Sequence, residues 1–404
     1  MKNIVSNHNK EFQIVFYIVF FIVNIVCISC KQMYFDTENI SFITEKKSMR
    51  SFSHLNNPIV ITMPVYQGKG FLGNDEWGHT YKREGDIFVV FDWERNKVFD
   101  WAFFEGMHGL SNWRAVELGS PEKYYDAGQG SGLIGCLNPE DGCIISINAG
   151  CKGYLLNVNS NNDSIRPRYG LIPSFDYKNG SEYYNINFFD SLTHTYNPKT
   201  IELPVLNNNI GFPSLDRDGN YWIAYQQDDK NYLGRYDAKN EVFDSFFIKD
   251  INKVSSGEYY CLDGIVNDYA ILSDGVSPFY ENFIICNIHN LSEKKEIPIP
   301  KKISENDFLL RTVFIDNEPY LLFVNDEDGV KVIIYHLNME DWGFEYETSF
   351  EFFLSETVYS RGSRIYLLNS WDSSLFRCKY YDVETKEISD EICISFDEIV
   401  NCIK

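Results

Sequence analysis

Asp216-Arg217-Asp218-Gly219-Asn220-Tyr221-Trp222-Ile223-Ala224-Tyr225 reads as a tight turn feeding a strand. Asp, Gly and Asn bend the chain and tolerate positive φ. The run that follows is aromatic and β-branched, side chains that pack well on a pleated sheet. A second hairpin comes next: Tyr236-Asp237-Ala238-Lys239-Asn240 leads into Glu241-Val242-Phe243. Working outward, the same signature recurs. Phe88-Val89-Val90-Phe91-Asp92 leads to Val98, and Phe188-Phe189-Asp190 leads to Ile201. Ile284-Ile285-Cys286-Asn287 leads to Ile297, and Val332-Ile333-Ile334-Tyr335 leads to Phe344. Tyr380-Tyr381-Asp382 leads to Glu387-Ile388.

With Asp190, Asp237, Asn287, His336 and Asp382 as anchors, the steps are 47, 50, 49 and 46 residues. Asp92 to Asp190 is 98 residues, two such steps. Each unit carries an earlier hairpin as well, such as Tyr320–Val324 joined through Asn325–Gly329 to Val330–Ile333. A period near fifty residues with four-strand content predicts an all-β fold, a β-propeller. Periodicity blurs between Gly128 and Gly180, so six or seven four-stranded blades fit the length. An array of β-sandwiches is the other all-β arrangement compatible with the pattern. Ile59-Val60-Ile61-Thr62 is expected to pair beside the C-terminal strands and close the ring, removing two exposed sheet edges. The Asp-x-Asp-Gly-Asn-Tyr-Trp-Ile-Ala stretch resembles blades of the NHL and TolB-like propellers.

The first thirty residues carry an export pattern. Lys2 and Lys10 precede an apolar run from Phe12 to Ser29, which ends at Cys30. A basic start, an apolar stretch and a small residue at the junction describe a signal peptide. Ile28-Ser29-Cys30 resembles a bacterial lipobox, which implies cleavage before Cys30 and diacylglycerol on its thiol. Cys27 stands where leucine is commonest in that family, and Asn24 interrupts the run. An uncleaved signal anchor is the other reading, since eighteen apolar residues just span a bilayer. Together with the propeller pattern, the chain resembles exported propeller lipoproteins of Bacteroidetes. The expected organisation is a signal peptide at 1–29, a lipidated tether at 30–56 and a propeller at 57–404, held at the cell envelope, outer membrane or periplasm.

Composition narrows the partners. The net charge is −22, which repels a phosphate backbone and excludes nucleic acid. Eight cysteines follow Cys30. Cys136 with Cys143, and Cys378 with Cys393, are the candidate disulfides in an oxidising compartment.

Motifs for chemistry are few. Gly130-x-Gly132-x-x-Gly135 matches a dinucleotide fingerprint by letter, but Asn138 and Pro139 follow where a helix is needed. Asp216-x-Asp218-Gly219-Asn220 lacks the Glu that closes a calcium loop, since position 227 is Gln. His289 and His336 read as solvated turn residues. No histidine has a zinc-type spacing, so no cofactor or metal is expected. Trp77, Trp93, Trp101 and Trp113 fall close together, with His79 and His108 interleaved. Such indoles either form a glycan or peptide platform or wedge between blades as core. The expected function is a membrane-tethered, extracytoplasmic binding module for a cell-envelope protein or glycan. The alternative is a hydrolase or lyase acting on a glycan or lactone.

Overall fold

The computed structural model describes residues 34–35, 43–56, 58–67, 82–105, 115–127, 132–150, 155, 159–160, 166–178, 181–204, 213–227, 230–250, 260–274, 282–300, 303, 307–325, 331–352, 357–369, 375–395 and 398–399. The apolar run and Cys30 lie outside these residues. The strands form seven sheets, each built on an antiparallel meander. Blade 1 contains Ile59–Gln67, Lys82–Asp92 and Lys97–Glu105, with Tyr34–Phe35 added in parallel. Blade 2 runs from Val116–Leu118 to Ile144–Asn148, and blade 3 from Tyr169–Lys178 to Thr195–Pro204. Blades 4, 5 and 6 begin at Ser214–Leu215, Tyr260–Val266 and Asp307–Ile315. Blade 7 spans Thr357–Arg361 to Ile392–Ser395. The blurred stretch therefore holds a blade of its own, and the count is seven.

Seven apolar clusters lie between the seven sheets, and they prove a closed ring. Each cluster joins successive blades, and the seventh joins blade 7 to blade 1. The pleat sends alternate residues to opposite faces. Phe88 and Val90 thus enter the seam with blade 2, while Ile87, Val89 and Phe91 enter the seam with blade 7. In blade 6, Leu321 and Phe323 face blade 5, while Tyr320 and Leu322 face blade 7. Central strands buried on both faces need the unbroken apolar runs seen in the sequence.

Ring closure differs from the sequence expectation. Ile59–Thr62 pairs with Phe88–Phe91 inside blade 1 and not with C-terminal strands. Blade 7 completes its outer side with its own residues, Glu387–Ile388 and Ile392–Ser395. Side chains close the seam instead. The Tyr359 hydroxyl donates to the Val60 carbonyl at 2.9 Å. Tyr366 and Arg364 both donate to the Trp93 carbonyl, at 3.1 and 3.3 Å. Residues that could each bury an aromatic ring need no exchanged strand, because a buried ring contributes about 1.5–3 kcal/mol.

The repeated anchor is a turn leading into the outermost strand of each meander. In blades 1, 3, 4 and 7, Asp92, Asp190, Asp237 and Asp382 each accept a turn N–H through a carboxylate oxygen. In blade 2 the same place is taken by Asn138, the anchor hidden in the 98-residue gap. In blade 6 it is Asn338 rather than His336. Four residues after each anchor the backbone turns left-handed: Asn96, Gly142, His194, Glu241, Trp342 and Lys386. Only one of these is glycine. At Gly142 a Cβ would also come 2.1 Å from the Met49 carbonyl, so that position admits nothing larger.

The meander also sorts the connections. Turns into the outermost strands, and those at 119–122, 216–220, 267–268, 316–317 and 362–363, are short and share one face. Connections from second to third strands, and from blade to blade, attach at the other face, including 68–81, 106–114, 251–259 and 275–281. Near that end each blade buries a polar side chain: Asp86, Asp126, Asn185, Asn231, Ser273, Asp307 and Asn369 in order.

Residues 43–56, within the stretch read as a tether, pack against the outer edges of blades 1 and 2. Phe103 donates its N–H to the Lys46 carbonyl at 2.7 Å, and Met49 donates to Gly142 at 2.9 Å. Ile43, Met49 and Phe52 are buried beneath. The candidate disulfides are not formed: Cys136, Cys143, Cys378 and Cys393 are free thiols. Burial of Cys136 and Cys378 as small hydrophobes accounts for them.

Candidate functional site

A cleft opens on the short-turn face between blades 2 and 3. Its volume is about 270 Å³, and its lining includes Ser120, Lys123, Tyr125, Arg166, Arg168 and Ser191. The turn at 119–122 leaves blade 2, and the turn at 191–194 leaves blade 3. Gly119 brings them together: its φ is +85°, and a Cβ there would sit 3.1 Å from the Ser191 hydroxyl. Its N–H donates to the Pro167 carbonyl at 3.0 Å, pinning the Arg166–Arg168 segment alongside.

Charge concentrates here. Arg166 bonds Glu117 at 3.0 Å and Glu122 at 3.1 Å. Arg361, on the inner strand of blade 7, forms a second ion pair with Glu117. Glu117 and Arg361 are almost fully enclosed, with side chains 8% and 4% exposed. Arg168 makes a two-pronged contact with Asp190, at 3.0 and 2.6 Å. Lys123 is half-buried and has no carboxylate or hydrogen-bond partner among the described residues. Among the described residues four cationic side chains thus face three carboxylates, in a chain whose net charge is −22.

The titrating groups record this environment. Burial, then the neighbouring Glu117 charge, pushes the Glu122 carboxyl up against the opposing pull of Arg166. Burial, then the Lys123 ammonium, pushes the His194 imidazole down. Burial would raise Asp190, but hydrogen bonds from Arg168 and the Leu192 N–H hold it below the usual carboxylate range. His194 sits in the left-handed turn position, stacked on Phe189 with 6.4 Å between ring centroids, and its Nε2 lies 3.5 Å from the Tyr125 hydroxyl.

The residues singled out from sequence are distributed otherwise. Trp101 is fully buried in the seam between blades 7 and 1. Trp93 is half-buried on the short-turn face, its indole N–H donating to the Asn56 carbonyl at 2.7 Å, with Arg364 5.7 Å from its ring. Trp77, His79, His108 and Trp113 lie outside the described residues. The strands flanking their segments, ending at Gln67 and Glu105, terminate at the long-connection face. His289 is exposed in its turn and bonds Asp268 at 3.2 Å. His336 is not a solvated turn residue: it lies on a strand between Glu318 and Glu345, stacked on Tyr320.

Asp216 behaves as a turn residue. Its two oxygens accept from the N–H groups of Asp218 and Asn220, the Asn220 amide and the Trp222 indole. The last glycine of the Gly130–Gly135 motif lies inside the strand Leu133–Leu137, where the fingerprint needs the start of a helix. No cluster of three metal-ligating side chains occurs among the described residues. The cleft residues Lys123, Arg166 and Arg168 escaped sequence reading. Arg166-Pro167-Arg168 is a basic pair in an acidic chain, and that was the one available signal.

Closed packing of seven meanders around one axis defines the class: a seven-bladed β-propeller. No protein-family profile matches the chain, and no curated protein matches it in sequence. Solved structures do. A 6-phosphogluconolactonase-like protein of Bacteroides uniformis superposes with a TM-score of 0.52 at 10% identity, covering 84% of this chain and 98% of its own. A second such protein, from Bacteroides fragilis, gives 0.47 at 12% identity, over 83% and 96% of the two chains. A periplasmic gluconolactonase of Pseudomonas aeruginosa gives 0.49 at 9% identity, over 83% and 96%. At these identities the likeness is one of fold.

Proposed function

We propose that this protein is an extracytoplasmic binding module tethered to the membrane through Cys30, with a ligand site in the cleft between blades 2 and 3. The observation that carries the reading is Lys123, a half-buried ammonium at a cleft, with no counter-charge among the described residues. Burying an uncompensated charge costs free energy, and a bound ligand would recover it. The cleft is made by turns on a rigid ring, which limits the reorganisation needed on binding. The long-connection face, where the segments bearing Trp77, His79, His108 and Trp113 attach, is the proposed contact for a cell-envelope protein or glycan. In the full chain, Ser120→Trp is expected to abolish ligand-induced stabilisation in a glycan and metabolite screen while leaving the ligand-free Tm unchanged. If the shift persists with the cleft blocked, the site lies elsewhere. Membrane fractionation and lipid labelling of Cys30→Ala test the tether.

One observation favours the alternative, a hydrolase or lyase acting on a glycan or lactone. Glu122 is a carboxyl with a raised pKa beside a cavity, the condition a general acid needs. Turnover by the full chain that disappears in Glu122→Gln, with binding retained, would move the protein to that class.

A further inference from the structure

We infer that the cleft between blades 2 and 3 is a site for a small molecule bearing one carboxylate, with Lys123 as its anchor; this rests on the cleft being the ligand site. The charge balance sets the valence. Arg166 and Arg361 are neutralised by Glu117 and Glu122, and Arg168 is neutralised by Asp190. Among the described residues one positive charge remains, on Lys123. A monoanion brings the cluster to neutrality. A phosphate dianion would leave an excess negative charge beside Glu122, whose carboxyl burial and the Glu117 charge already disfavour in ionised form.

The walls suit the same ligand. The Ser120 hydroxyl is exposed at the rim, and Arg168, half-exposed, keeps donors that its two bonds to Asp190 do not use. The space of about 270 Å³ lies just below the range of ligand pockets, which starts at about 300 Å³, so only a small ligand fits. A single sugar-sized molecule, or one terminal unit of a longer chain, fills it. Ser191 is already committed, donating to the Arg168 carbonyl at 2.6 Å, so it serves the wall and not the ligand.

His194 supplies a built-in reporter. Lys123 helps to depress its imidazole, so a bound carboxylate that offsets Lys123 raises its pKa toward the ordinary value. The test uses the full chain with three probes: D-glucuronate, D-glucose and inorganic phosphate. Affinity is measured by calorimetry, and the His194 titration by NMR. D-glucuronate is expected to bind and raise the His194 pKa, while D-glucose, matched in ring but uncharged, does neither. Lys123→Met is expected to weaken D-glucuronate about tenfold or more, as loss of a charge-assisted contact does, and Lys123→Arg to restore most of it. Equal binding of D-glucose, or tighter binding of phosphate with the same His194 response, overturns the monocarboxylate while leaving the cleft as the ligand site. Absence of any His194 response to all three probes overturns both.

Discussion

The seam between blades 7 and 1 and the seam between blades 2 and 3 solve the same packing problem with different remainders. At the first, every polar group named is committed: Tyr359 to Val60, Tyr366 and Arg364 to Trp93, Arg364 also to Asp382. Its apolar cluster is among the largest in the molecule and carries Trp101, Phe91 and Tyr366. At the second, Gly119 and the Arg166–Arg168 segment hold the turns in contact but leave a cavity and an ammonium, Lys123, with no ion pair among the described residues. On the proposed reading, the seam whose ion pairs fail to balance is the one that takes a ligand. A balanced seam is only a joint.

Substitutions can separate joint from site. Tyr366→Ala, at the closing seam, removes a buried ring and two hydrogen bonds; it should cost about 3–5 kcal/mol in urea unfolding. Arg361→Met removes one of the two ion pairs of the enclosed Glu117 and should cost about 3 kcal/mol, partly restored by adding Glu117→Gln. Tyr366→Phe keeps the ring and should cost about 1 kcal/mol, the worth of a buried hydroxyl's bonds. Lys123→Met should change stability by no more than about 0.5 kcal/mol, because no hydrogen bond or ion pair among the described residues is lost. A large loss from Lys123→Met would mean that the lysine is structural and the contrast between seams is false.

Acid provides the mildest perturbation. The His194 imidazole titrates lower in the folded protein than its ordinary 6.5, so the unfolded chain takes up its proton first. Stability from this group is full above about pH 6.5 and is lost as pH falls through the folded value. Asp190, depressed by Arg168, adds a second loss below the usual 3.8. Lys123→Met should shrink the His194 step, and Arg168→Met the Asp190 step. Urea midpoints measured from pH 8 to pH 3 would show each step separately.

Much of the fold was legible in local chemistry. An Asp or Asn that accepts turn N–H groups must sit at a strand end, so Asp92, Asp190, Asp237, Asn287 and Asp382 marked the repeat. Asn138 was missed because blade 2 has short strands and little apolar alternation around it. The left-handed residues at His194, Glu241, Trp342 and Lys386 were invisible, since none is a residue that seeks positive φ. The ring-closing strand was misplaced because edge protection can be met by side chains, and composition does not say which means is used.

The sequence by itself determined the strand content, the fifty-residue repeat and hence the propeller, because turn chemistry and pleat periodicity act within a few residues. Only the tertiary structure decided that there are seven blades and that side chains close the ring. It alone brought Glu117, Arg166 and Arg361 together, from positions up to 244 residues apart. Coulomb attraction and burial depend on distance in space, and a closed ring makes neighbours of residues that the chain keeps far apart.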